Sequence, residues 1–202
     1  EPRIFANKHL FEIDGDATEV TFRNISSLVH MRRGMIVSAN IPTTLNMENV
    51  NISAEAGYGI ITFVKTNLTA TNSTIGGYSA LYVKPGSDNS SFSFVNSTRS
   101  GSNANNDVEG KSFSTIALRA NKVIVNVDAI STINSAGNYH HALSLGGNFA
   151  DEETTSGNNV TIAGNINGNI VSSECINANT VKVKAEYADE LFKDGFVTGE
   201  AD

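Results

Sequence analysis

The residues of this sequence that could carry out acid–base chemistry are scattered carboxylates. Enzymes that cleave polysaccharides use two such groups, held about 5 to 10 Å apart, as an acid and a base. The candidates are Asp14, Asp16, Asp88, Asp107, Asp128 and the run of Asp151, Glu152 and Glu153. Only Asp128 falls inside a predicted strand, whereas the others stand at turns, where Asp is favoured because it bonds the nearby backbone. We therefore predict no catalytic residue and no enzymatic activity.

Metal-binding patterns are equally sparse. His140 and His141 are adjacent, and adjacent residues on a strand point to opposite faces, so the two imidazoles cannot readily bind one ion. Asp14 and Asp16 flank a glycine but lack the further ligands of a calcium loop. Cys175 has neither a glycine elbow nor a nearby histidine, and we interpret it as a small buried residue. We expect no metal and no cofactor.

Tyrosines offer a binding surface instead of a reaction centre. Tyr58, Tyr78, Tyr82 and Tyr139 lie at or near predicted bends, and Tyr58 and Tyr78 stand 20 residues apart at matching bends. Aromatic rings are large amphipathic surfaces, and carbohydrate binding usually exploits their faces. A stripe of tyrosines on one face would therefore bind a ligand; the alternative is that the rings shield strand edges.

A repeating framework has to position these side chains, and a repeat is visible in the sequence. Four segments share the pattern apolar-x-apolar-x-Asn and end at Asn24, Asn49, Asn72 and Asn96, with spacings of 25, 23 and 24 residues. The alternation places the apolar residues on one face of a strand. Stacked asparagines can form hydrogen-bonded ladders, and Asn tolerates the left-handed backbone of a corner.

A second short strand lies between successive copies of the first. The segments that predict it are residues 34–37, 59–63, 79–83, 114–118 and 141–145. Two or three short strands in every 23 to 25 residues are what one coil of a parallel β-helix requires, because each coil encircles a narrow apolar core. Parallel crossovers are almost always right-handed. The predicted fold is therefore all-β: a right-handed, single-stranded parallel β-helix, or solenoid.

The composition suits such a fold. The chain contains 25 Asn, 21 Ser, 17 Thr and 17 Gly but no Trp and only three Pro, so it is rich in turn formers. With 40% hydrophobic residues spread evenly along it, it is not a disordered polar tract. Gly76 and Gly77 lack the helix and lysine of a phosphate-binding loop and are interpreted as a turn.

The predicted solenoid spans residues 20–185, between two ends of different character. Residues 1–19 are predicted to be an N-terminal cap region. Residues 186–202 are predicted to be a C-terminal cap or a flexible tail, and the stretch 186–193 has the character of a short helix. A cap is useful because an uncovered solenoid end is an exposed sheet edge.

Two polar insertions, residues 99–111 and 146–159, interrupt the later coils. Solenoids accept insertions at corners without losing the stack, and such loops often carry the specific function. The second insertion contains Asp151, Glu152 and Glu153. These acids join the four tyrosines as the candidate ligand-binding residues.

The degenerate coils, the scarcity of Cys and Pro, and phrases such as GGYSALYV (76–83) and VTIAGNINGNIVS (160–172) resemble the passenger domains of bacterial autotransporters. The resemblance covers residues 20–185 and is one of texture, without a diagnostic motif. It implies display at the outer surface of a Gram-negative cell, or secretion, commonly as an adhesin. The family's membrane-anchoring barrel would then belong to another part of the protein. No functional residue is carried over.

Charge narrows the choice of partners. The net charge of -7 and the pI of about 5.1 come from scattered acids, and the nearest approach to a basic block is Arg32 and Arg33. Nucleic acid is therefore not expected as a partner. The sequence has no run of about 18 apolar residues and no charged-then-apolar leader, so neither a membrane span nor a signal peptide is expected in this chain.

Three functions agree with these observations. The leading one is a non-catalytic adhesion module that contacts a host cell-surface protein, a matrix protein or glycan, or a neighbouring cell through self-association. The first alternative is a carbohydrate-active enzyme or glycan-binding module on the same scaffold. The second is a purely structural stalk.

Overall fold

The computed structural model describes residues 9–16, 18–29, 33–54, 57–101, 114–135, 140–146, 155–171, 179–187 and 197–200. Within them the chain forms 19 strands and one helical turn at residues 185–187. In chain order the strands are β1 (His9–Ile13), β2 (Glu19–Val29), β3 (Arg33–Val37), β4 (Thr43–Ala54), β5 (Tyr58–Thr62), β6 (Thr66–Thr71), β7 (Thr74–Gly77), β8 (Leu81–Val83), β9 (Ser91–Val95), β10 (Thr98–Gly101), β11 (Ser114–Leu118), β12 (Ile124–Val127), β13 (Thr132–Asn134), β14 (His141–Leu145), β15 (Asn159–Ile162), β16 (Asn165–Asn167), β17 (Asn169–Val171), β18 (Thr180–Val183) and β19 (Val197–Glu200).

Every strand pair in this part of the chain is parallel. Sheet A has seven strands in the order β1-β3-β5-β8-β11-β14-β17, and sheet B has twelve. A corner divides sheet B into two halves. The first half of β4 pairs with β6, and its second half pairs with β7. The chain thus circles through sheet A and the two halves of sheet B. The architecture is the predicted parallel β-solenoid.

Contacts between coils measure the length of each coil. Asn49 contacts Asn24 of the preceding coil, 25 residues earlier in the sequence. Ser97 likewise contacts Ser73, 24 residues earlier. The predicted spacing is therefore confirmed in this part of the solenoid. The next coil is longer, because Ser131 lies on Ser97 at a separation of 34 residues.

Inward-facing side chains of sheet B form continuous apolar columns. One column, in register from strand to strand, consists of Leu45, Leu68, Phe92, Val125, Val160 and Val181. All six are almost inaccessible to water. Strands β9 and β12 alternate these buried residues with more accessible ones, as the period-two pattern predicts. Because burial contributes about 25 cal/mol per Å² of apolar area, the stacked columns are the main stabilising element of the fold.

Asparagines stack at the corner that divides the two halves of sheet B. Asn24, Asn49, Asn72 and Asn96 all have left-handed backbones, with φ between 45° and 55°. The Nδ2 of Asn49 donates to Oδ1 of Asn24 over 3.0 Å, and that of Asn96 donates to Asn72 over 2.7 Å. The predicted asparagine ladder and its left-handed corner are confirmed.

A serine ladder lies beside the asparagines and is buried. The backbone amides of Val50, Ser73 and Ser97 donate to the hydroxyls of Ser73, Ser97 and Ser131, respectively, over 2.9–3.1 Å. Each bond joins one coil to the next. Buried corner amides that point away from the sheet ladders are thereby satisfied, which explains the serines at positions 73, 97 and 131.

Replacement of Asn72 separates the two contributions of the asparagine ladder. Glycine tolerates positive φ but removes the side-chain bond, so Asn72→Gly is expected to lower the unfolding free energy by about 1 kcal/mol. Asn72→Ala adds the steric cost of a left-handed backbone and is expected to lose about 2 kcal/mol in urea unfolding. Asn126→Ala, on the exposed outer face of β12, should change little. Equal losses for the glycine and alanine variants would contradict a backbone role.

The asparagine ladder ends at Asn96 because the corner after β12 is one residue longer than the corner after β9. Asp128 occupies the longer corner. Its carboxylate accepts hydrogen bonds from the Asn96 amide at 3.1 and 3.2 Å and from the Ser131 hydroxyl. The prediction that Asp128 lies inside a strand is wrong, since β12 ends at Val127. Its role is to cap the corner.

Two other expectations are corrected in the same region. Arg99, assigned to the first polar insertion, lies in β10 between Ile75 and Ile133, and its side chain is fully buried. The register of β10 directs the Arg99 side chain into the core, although the side chain is charged. Gly76 and Gly77, interpreted as a turn, belong to β7, and at Gly77 the backbone of a neighbouring coil leaves no room for a side chain.

The ends contribute strands to the solenoid. Within the region interpreted as an N-terminal cap, β1 pairs with β3 in sheet A. Within the predicted cap or tail, β19 pairs with β18 in sheet B, and the helical character is seen at residues 185–187. The central parts of the two insertions, residues 102–113 and 147–154, lie outside the described residues, as does Cys175.

Candidate aromatic and cationic binding face

The central residues of β3, β5, β8, β11 and β14 in sheet A are buried on both faces of the sheet. Its inward column, in successive strands, consists of Met35, Ile60, Leu81, Ile116 and Leu143. The outward column beside it consists of Ile36, Ile61, Tyr82, Ala117 and Ser144, and every member is also buried. Parallel strands covered on both sides carry continuous apolar runs, which is why these segments lack a polar alternation. The outer face of sheet A therefore has an apolar cluster of its own.

Two of the predicted tyrosines meet in this cluster. Tyr82 lies at the centre of β8 and Tyr58 begins β5. Their rings stack with centroids 4.7 Å apart and planes inclined by 16°. Tyr82 is buried, whereas Tyr58 is half-buried and packs on Tyr82, Ile36 and Ile61. Tyr58 is thus partly accessible to solvent, and the stack fixes the position of its ring.

A lysine lies over the edge of this stack. The Nζ atom of Lys84 is 5.7 Å from the ring centroid of Tyr82 and 5.8 Å from that of Phe63. These distances suit attraction between an ammonium group and the negative face of a ring. Phe63 is 41% exposed, although phenylalanine is among the residues most often buried. Phe63 and Lys84 therefore present an aromatic and a cationic group together at the surface.

A second cation lies near the Tyr82 ring. Arg119 is buried, with its Cζ atom 5.9 Å from the Tyr82 ring centroid. Its Nη1 donates to the hydroxyl of Ser144 over 3.1 Å and to the Leu118 carbonyl over 3.3 Å. The group formed by Tyr58, Phe63, Tyr82, Lys84 and Arg119 is referred to below as the tyrosine–lysine patch.

Backbone register explains how the patch is assembled. The Lys84 amide donates to the Thr62 carbonyl and the Arg119 amide donates to the Val83 carbonyl. Phe63, Lys84 and Arg119 therefore occupy one position on three successive coils, immediately after the strands of sheet A. Sequence reasoning missed these three residues. Alignment of the second strand motif would have revealed the column, because each residue directly follows the apolar run.

The other predicted binding residues are distributed differently. Tyr78 is half-buried outside the strands, and its carbonyl accepts a hydrogen bond from Nε2 of the buried His140 over 2.9 Å. The bends of Tyr58 and Tyr78 match on successive coils, because the Tyr78 amide donates to the Gly57 carbonyl over 2.6 Å, while the ring stack joins Tyr58 to Tyr82. The remaining candidates, which lie outside the described residues, are Tyr139, Asp151, Glu152 and Glu153.

Carboxylates of the described residues serve mainly as caps and ion-pair partners. Asp88 accepts a hydrogen bond from the Asn121 amide over 2.8 Å, as Asp128 does at its own corner. Across the ranges that the structure describes, no three His, Cys, Asp or Glu side chains group as metal ligands would. No helix there has the length and apolar character needed to cross a membrane.

Comparison with known proteins found no matching family model, no matching curated protein and no matching solved structure. Function is therefore argued from the solenoid and from the tyrosine–lysine patch. The patch joins partly exposed rings to an ammonium group on a face that is otherwise apolar, and this arrangement suits recognition of a ligand that is both ring-like and polar.

Proposed function

We propose that this chain is a non-catalytic recognition module, of the kind found in autotransporter passenger domains, that acts at the bacterial cell surface or after secretion. Its ligand is a host or neighbouring-cell molecule. The proposal is supported above all by the tyrosine–lysine patch, in which Tyr58 and Phe63 are partly exposed and held by stacking and cation–π contacts. Rings fixed before binding lose little conformational entropy when a ligand arrives.

The solenoid supports the same function through its shape. Sheet A extends over seven parallel strands, and neighbouring strands lie about 4.8 Å apart. A rigid scaffold of this kind holds Tyr58, Phe63 and Lys84 in fixed positions, where they can contact a partner. The location at a cell surface rests on the sequence resemblance to passenger domains.

Removal of the Tyr58 ring is expected to weaken binding about tenfold, because truncation of an aromatic contact at the centre of a binding site commonly costs 1 kcal/mol or more. The measurement is binding of the purified chain to immobilised host glycans, matrix proteins and a second copy of the chain. Tyr58→Ala would be compared with Ile130→Ala, which removes an apolar side chain that is 68% exposed elsewhere. Far-ultraviolet circular dichroism would verify that both variants remain folded.

Other outcomes of this experiment would overturn the proposal. Depolymerised glycan in the incubation would indicate a carbohydrate-active enzyme. Absence of binding to every component would favour a structural stalk. Equal losses for Tyr58→Ala and Ile130→Ala would place the binding surface away from the patch.

A further inference from the structure

We infer that a groove on the outer face of sheet B binds an uncharged oligosaccharide. The groove has a volume of about 460 Å³ and lies across β2, β4 and β6. This volume is within the range of about 300 to 1,000 Å³ that is typical of small-molecule sites. The groove is separate from the tyrosine–lysine patch, which lies on sheet A, so the inference goes beyond the function proposed above.

Two rows of outward-facing residues, in register across the three strands, line most of the groove. The first row consists of Thr21, Asn46 and Thr69, and the second consists of Arg23, Glu48 and Thr71. Strand β4 places a buried residue between its two members, as the alternation of a strand requires. Asn46 and Thr71 are half-buried, and the other four residues are exposed. The groove is therefore open to solvent.

The charged groups of the groove are paired with other groups of the groove. The Nε atom of Arg23 lies 3.0 Å from Oε2 of Glu48. Glu19, a further lining residue, accepts a hydrogen bond from Nδ2 of Asn46 over 3.0 Å. An anionic ligand would meet two carboxylates and one guanidinium, and a cationic ligand would have to displace Arg23 or Asn46 from a carboxylate. The arrangement therefore favours a ligand without charge.

Three threonine hydroxyls supply the hydrogen bonds for such a ligand. Within the part of the chain that the structure describes, the hydroxyls of Thr21, Thr69 and Thr71 form no hydrogen bond. A hydroxyl donates one hydrogen bond and accepts up to two. Sugar hydroxyls have the same dual capacity, whereas an ammonium group only donates and a carboxylate only accepts. The chemistry of the groove thus matches a polyhydroxylated molecule.

The first row continues beyond the groove along the solenoid. In register with Thr69 follow Ser93, Asn126 and Thr161, on β9, β12 and β15. Asn126 is exposed and the other two are half-buried. Because neighbouring strands lie about 4.8 Å apart, the row offers an uncharged polar contact at regular intervals. We therefore expect an extended chain of sugars to bind more tightly than a single sugar.

The test is isothermal titration of the purified chain with neutral oligosaccharides of glucose, mannose and N-acetylglucosamine, from disaccharide to hexasaccharide. We expect at least one series to bind, and its affinity to rise about tenfold with chain length as further hydrogen bonds form. Thr69→Val keeps the shape of the side chain but removes the hydroxyl, and should weaken binding about fivefold. Thr74→Val, the same change at an exposed position of β7, should alter binding less than twofold. Far-ultraviolet circular dichroism would verify that both variants are folded.

Charged sugars test the class of ligand. Glucosamine oligosaccharides have the backbone of the N-acetylglucosamine series but carry ammonium groups, and galacturonate oligosaccharides carry carboxylates. Tighter binding of either charged series than of every neutral series would overturn the inference. Equal losses for Thr69→Val and Thr74→Val would also overturn it, because the sugar would then bind outside the groove.

The Tyr58→Ala variant separates this inference from the proposed function. Sugar binding that is weakened by Tyr58→Ala and kept in Thr69→Val would assign the sugar to the tyrosine–lysine patch, which overturns the groove site and supports the proposed function. Absence of binding by every neutral oligosaccharide would overturn the groove site alone. The proposed function would still be decided by the effect of Tyr58→Ala on binding to matrix proteins and to a second copy of the chain.

Discussion

Arg99→Met is expected to raise the unfolding free energy of this protein by about 2 to 4 kcal/mol. Arg99 is the largest fully buried side chain in the described residues, and its Nε and Nη2 atoms have no hydrogen-bond partner there. Its Nη1 donates to the Ser73 and Thr98 carbonyls, and its guanidinium lies 4.1 Å from the Phe94 ring centroid. These contacts compensate only part of the cost of removing a charge from water.

Methionine should fill the same space without that cost. Its unbranched side chain adapts to irregular core gaps. The Ser73 carbonyl also remains satisfied, because it accepts a hydrogen bond from the Thr98 amide over 2.9 Å. Urea unfolding would measure the gain. Arg23→Met, at an exposed arginine paired with Glu48, provides the control and should shift stability by less than about 1 kcal/mol.

The gain from Arg99→Met should depend on pH in a defined direction. Burial lowers the pKa of the Arg99 guanidinium from its usual value to about 9. Between these values the unfolded chain binds more protons at this site than the folded chain, so the site's contribution to stability rises with pH. The advantage of the variant is therefore complete below pH 9 and shrinks above it. Unfolding of both proteins at pH 7 and pH 10.5 would show this convergence.

The opposite result would be equally informative. If Arg99→Met were less stable than the parent chain at pH 7, the guanidinium would have to be neutralised in the folded protein. A constant difference between the two proteins from pH 7 to pH 10.5 would contradict a lowered pKa.

Gly77→Ala is expected to lower the unfolding free energy by about 3 kcal/mol, the upper part of the range for overpacking. A Cβ atom at Gly77 would lie 2.5 Å from the Gly59 nitrogen, 2.7 Å from the Gly57 oxygen and 2.9 Å from the Ser79 oxygen. All three are backbone atoms, two of them on the adjacent coil, so the clash can be relieved only by a shift of the backbone. Thermal or urea unfolding of the variant would measure the loss.

The neighbouring glycine provides a matched control for this prediction. A Cβ atom at Gly76 would meet the Ser53 hydroxyl at 3.2 Å and nothing else closer than 3.7 Å. Gly76→Ala should therefore stay within about 1 kcal/mol of the parent chain, and reduced freedom of the unfolded state partly offsets any strain. Similar losses at the two positions would show that backbone freedom, and not the close approach of coils, explains the pair of glycines.

The sequence was sufficient to predict the solenoid because each coil repeats a local physical requirement. Apolar alternation identifies the inward face of sheet B, and Asn72 and its equivalents identify a corner with a left-handed backbone. Both signals arise from a residue and its near neighbours. Arg99 breaks this rule, because its burial is imposed by the register of β10 with β7 and β13 and not by its own polarity.

The candidate site was predictable only in part for a related reason. Tyr58 and Tyr82 were recognisable as aromatic residues near strands. Their stacking, however, depends on which strands are neighbours in sheet A. Tyr78 has a similar local context at the matching bend of the next coil, yet the ring that stacks on Tyr58 is that of Tyr82. Lys84 and Arg119 are brought together by coils of unequal length, so neither their separation in sequence nor their charge indicates that both approach the Tyr82 ring.

The serine ladder has a mechanical consequence. Its bonds, like those of the parallel strands, run from coil to coil and therefore along the length of the solenoid. Tension between the two ends would load the outermost coil alone, and that coil would peel away before the next one is strained. A coil of 24 residues releases about 80 Å of extended chain. Stretching would thus proceed as a series of steps, each of which dissipates energy while the remaining coils keep their binding face.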